Sequence, residues 1–172
     1  MPSSPKLYFP NGKPPTSGCK LQKLFSTVLP NSNAPICLCI ASFTCTLLEL
    51  NLTTPSDKWM QPPSPSNLLT ASNLPDYILL HPIDNIPSLA TSKVTEKIPP
   101  IYHTLFIHDL NFSNFPGSTF AWDEPWESNW NILLSKFIFK HLSHANKAGA
   151  FTAFHIDPAH SSNHLLQTGI LH

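Results

Sequence analysis

The chain of 172 residues carries ten lysines, no arginine and ten carboxylates, for a formal net charge of zero. That balance argues against a nucleic-acid binder, which shows a basic patch and uses arginine for paired contacts to guanine and phosphate. Charged residues make up 12% of the chain, about half the usual ~25%, and there are nineteen prolines against five glycines.

Seventeen of those prolines lie at or before Pro116, so the two parts of the chain differ in physical character. Residue types whose codons begin with G are scarce as a group. A G-poor coding strand gives that bias, and so does a reading frame never selected for a folded product.

Residues 1–35 hold seven prolines with Ser, Asn and Gly, which disfavour helix and central strand alike. No apolar run follows a basic start, so nothing here reads as a secretory signal. Lys20–Leu29 has room for about two helical turns before Pro30. Residues 36–50, ICLCIASFTCTLLEL, form the most hydrophobic run. Its uncharged core is shorter than the ~20 residues a membrane helix needs, and its β-branched residues and cysteines favour a buried strand over the alternatives of a short helix or a membrane segment. It is also the segment most prone to aggregate.

Residues 51–119 return to Pro/Ser-rich loop chemistry. Gln61–Asn67, QPPSPSN, reads as an irregular linker. Asp76–His81 and Ile101–His108 read as short strands, and the prolines around them limit both to sheet edges.

The pattern changes in residues 120–172. Asp123 is a candidate cap, with acids and Pro125 in the first turn. Trp126, Trp130, Leu133, Leu134, Phe137, Ile138, His141, Ala145 and Ala148 recur at spacings of three and four and share one helical face. Lys136, Lys140, His144 and Lys147 line the other side, with Ile132 and Phe139 on the back. Gly149 suits the position after the C-cap. A helix is therefore predicted over about 124–148. Ala150–Ile156 alternates as an extended segment does. A second, short helix is predicted over about 158–168, from Asp157-Pro158 to Gly169. The chain ends on apolar residues, which reads as a truncated C-terminus.

Motifs that carry chemistry are few. The cysteines, Cys19, Cys37, Cys39 and Cys45, lack zinc-finger spacing and read as buried thiols. His141 with His144 and His160 with His164 stand at i, i+3 and i, i+4, the spacings of ligands on a helix, but the HSSNH of the second pair lacks the glutamate of HExxH. These four are the metal candidates, against a reading in which His141 packs in a core and His160 and His164 meet solvent. Asp123, Glu124 and Glu127 suit capping better than catalysis. No catalytic or cofactor-binding motif is found, and no cofactor is expected. Two glycosylation triplets, at Asn51 and Asn111, have no signal peptide to give them access.

The sequence thus predicts a mostly irregular chain with a small C-terminal α-helical unit and at most a few short edge strands before residue 116. The expected function is non-enzymatic: a helix presenting Trp126, Trp130, Leu133, Leu134, Phe137 and Ile138 to a protein partner. The alternatives are a small histidine-based metal-binding module and a non-functional or truncated reading frame. Neither nucleic acid nor membrane is an expected partner, and with no signal or full-length span the default expectation is a soluble intracellular protein.

Overall fold

Pro35 opens the first described helix of the computed structural model, which describes residues 29–50, 53–55, 57, 60–83, 98–156 and 170–171. Helix α1 runs Pro35–Leu47 with proline in its first turn, where the missing N–H costs nothing. Ile36, Ile40, Phe43 and Leu47 are at most 3% exposed and follow the helical period. The strand expected over residues 36–50 is therefore corrected to a helix. A lone strand leaves its backbone N–H and C=O groups without partners, whereas a helix satisfies them within itself. The spacing of the four large side chains suits one helical face, and β propensity yields to that packing.

Helix α2, Pro65–Ser72, starts inside the predicted linker. Ser64 Oγ accepts from the Asn67 backbone N–H at 3.2 Å, and Pro65 follows the cap. A 3-10 turn, η1, covers Asp76–Leu80 and buries Ile78. Helix α3, Ile101–Phe112, follows Pro100 and buries Tyr102, Leu105, Phe106, Asp109 and Leu110. Both of these segments were expected as edge strands. Their prolines act as helix starters, and the buried positions of α3 step by one and three, as a helix face does. Among the described residues the secondary structure is helical throughout, with no strand.

Helix α4, Asn129–Lys147, confirms the predicted long helix but starts about five residues later. Ser128, not Asp123, is its cap, accepting from the Asn131 N–H at 3.3 Å. Residues 121–128 form turns, and Trp126 lies outside the helix, half-buried against Phe120 with ring centroids 5.2 Å apart. Gly149 follows the C-cap as predicted, at φ 78°. A second 3-10 turn, η2, at Thr152–Phe154 replaces the extended segment expected there. The short helix predicted over 158–168 lies outside the described residues, as does most of the irregular stretch expected over 1–35.

Helix α4 is central. It packs on α1, α2, α3 and η1, while α1 also meets α3 and η2. Phe43 of α1 touches Tyr102 of α3 and Phe151 before η2, at centroid distances of 5.8 and 5.3 Å. The connection from Phe115 to Ser128 is pinned to the first turn of α4. Trp130 Nε1 donates to Thr119 O at 2.9 Å. Asn131 Oδ1 accepts from the Ala121 N–H at 2.9 Å, while its amide donates to Ala121 O and Pro125 O, both at 3.1 Å.

The three longer helices, α1, α3 and α4, end alike. In each, the residue after the C-cap (Glu49, Asn114 or Gly149) has positive φ. The next N–H reaches back five residues: Leu50 to Cys45 O, Phe115 to Leu110 O and Ala150 to Ala145 O, at 2.8–3.0 Å. This closure satisfies carbonyls the helix leaves open.

Candidate functional site

The densest polar cluster in the core joins α3 to α4. Asp109 is 5% exposed, on the face of α3 that also carries Leu105 and Phe106. Lys140 Nζ donates to both of its carboxylate oxygens, at 2.9 and 2.7 Å. His141 Nε2 lies 2.9 Å from Asp109 Oδ2, and its ring has no solvent exposure. An Nε2–H tautomer donates that bond. The imidazole meets Phe106 edge-on, at 5.4 Å and 88°. The Lys140 ammonium also lies over the Phe137 ring, 5.7 Å from its centre.

Burial pushes the Asp109 carboxyl up. The hydrogen bonds from His141 and Lys140, with their charges, outweigh it and hold the group below its ordinary value. The ionised carboxylate is thus the form the fold favours. An Asp–His pair can orient a base when a nucleophile faces the other ring nitrogen. Here His141 Nδ1 is buried with no hydrogen-bond partner among the described residues, and the enclosed ring is not open to a substrate. What the cluster does chemically is tie two helices together at one point.

Two of the four metal candidates, His141 and His144, fall among the described residues. His141 spends Nε2 on Asp109. His144 is half-buried one turn on, and burial first, then proximity to His141 and Lys147, lowers its pKa. His160 and His164 lie outside the described residues. Among the described residues no group of three or more His, Cys, Asp or Glu is placed to hold a metal ion. Lys140, expected on the side of the helix away from the apolar face, is largely buried and paired with Asp109.

Most of the predicted interaction face is buried. Trp130, Leu133, Leu134, Phe137 and Ile138 are 0–7% exposed and form part of this chain's own core. Each such side chain contributes about 1.5–3 kcal/mol on burial. Five together approach the whole net stability of an ordinary domain, about 5–15 kcal/mol. These five side chains are therefore occupied in the chain's own core.

Cys37 and Cys39 are buried and Cys45 is exposed, because a helix does not keep these three positions on one face as a strand does. Burial pushes the Cys39 thiol up to about 12, which keeps it from the reactive thiolate form. No membrane-spanning helix occurs among the described residues: none is long and apolar enough.

No protein-family model, curated protein or solved structure matches this chain.

Asp109 carries a signal in the sequence. It is the one acidic residue in an otherwise apolar and histidine-containing run, IYHTLFIHDL, on the way to a helix bearing Lys140-His141. A second link is more remote in sequence. His103 of α3 places Nδ1 2.8 Å from Leu47 O and Nε2 3.4 Å from Glu49 Oε1, at the end of α1.

Proposed function

We propose that this chain is a non-enzymatic helical unit that acts through surface contact with another protein. The observation that carries the reading is the set of large apolar side chains left outside the filled core. Tyr77 and Leu80 of η1 are 65% and 82% exposed, and Phe112 at the end of α3 is 63% exposed. His81 brings the two elements together, its ring 5.0 Å from that of Phe112. Contiguous exposed apolar surface is a feature of contact sites, and the His81–Phe112 contact joins the two elements that carry these side chains. The proposed face thus moves from the Trp130 side of α4 to η1 and the end of α3.

Photo-crosslinking from position 80 or 112 of the full chain in its native cells tests this. The expected result is a discrete crosslinked protein that disappears when Tyr77→Ser is introduced beside the probe. Crosslinking no stronger than from the exposed position 61 counts against it.

A further inference from the structure

We draw no further inference here: the strongest candidate, the unpartnered His141 Nδ1 in the buried Asp109–Lys140–His141 cluster between α3 and α4, belongs to the site already described and faces no described group that would define a ligand.

Discussion

Asp109 Oδ2 stands 2.9 Å from His141 Nε2, and the two side chains join α3 to α4 inside a shell of apolar residues. Removing one member of a buried charged cluster strands the others. Asp109→Ala is expected to cost about 3–5 kcal/mol in urea-induced unfolding. Replacing all three members together with apolar residues of similar size (Asp109→Leu, Lys140→Met, His141→Phe) is expected to be near neutral or stabilising. An Asp109→Ala variant within about 0.5 kcal/mol of the parent, the range of surface substitutions, contradicts the cluster.

Acid acts on this region in two stages. The folded state favours the ionised Asp109, so its contribution is present above about pH 4 and is lost as pH falls below that. It also favours neutral His144, so that contribution is full above about pH 6.5 and declines as pH falls below it. Both lower the melting temperature in acid. His144→Gln is expected to flatten the upper stage only. A parent-minus-variant difference that does not change between about pH 5 and 7 argues against this assignment of the upper stage to His144.

Two glycines resist alanine for different reasons. At Gly149, φ is 78° and an added Cβ meets nothing within 4 Å, so the strain lies in the backbone alone. At Gly117, an added Cβ lies 2.9 Å from the Trp130 ring. Gly149→Ala is expected to cost about 1 kcal/mol and Gly117→Ala about 1–3 kcal/mol. Combining each with Trp130→Phe separates them. Coupling of at least about 0.5 kcal/mol is expected with Gly117→Ala, and additivity with Gly149→Ala. The opposite pattern in a double-mutant cycle excludes the packing explanation.

Glu49 occupies the same backbone position as Gly149, at φ 53°. Glu49→Gly is expected to raise stability by up to about 1 kcal/mol, because relief of the left-handed strain exceeds the loss of a contact to His103 from a largely exposed carboxylate. Thermal unfolding checks the sign, and a lowered melting temperature gives the larger share to the His103 contact.

Asn131 holds the segment before α4 with three hydrogen bonds. Asn131→Leu removes them and leaves the Ala121 backbone without those partners, at an expected cost of about 1–3 kcal/mol. Hydrogen exchange at the Ala121 amide should accelerate more than at Leu134 in mid-helix. Equal acceleration at both sites indicates global destabilisation instead.

Helix α4 was legible because its period, its length and Gly149 all agreed. Its start is ambiguous in the sequence because Asp123 and Ser128 are both good caps, and only the bond to the Asn131 N–H distinguishes them. The shorter helices were obscured by proline. Pro35, Pro65 and Pro100 bracket apolar runs short enough to suit either period, and a proline that ends a strand is equally suited to begin a helix. The cluster was half legible. His141 was readable on the apolar face, but Asp109 lies 32 positions away, and its link to His141 depends on how α3 docks.

The edge-on contact between Phe43 and Phe151 spans about a hundred residues of chain. At a synthesis rate of about 5–20 residues per second, α1 is translated roughly 5–20 s before its last core neighbour exists. Throughout that interval the most hydrophobic stretch of the chain, ICLCIASFTCTLLEL, lacks α3, α4 and Phe151 to cover it. The hazard is therefore greatest on the ribosome, and slower translation between α1 and α4 prolongs it.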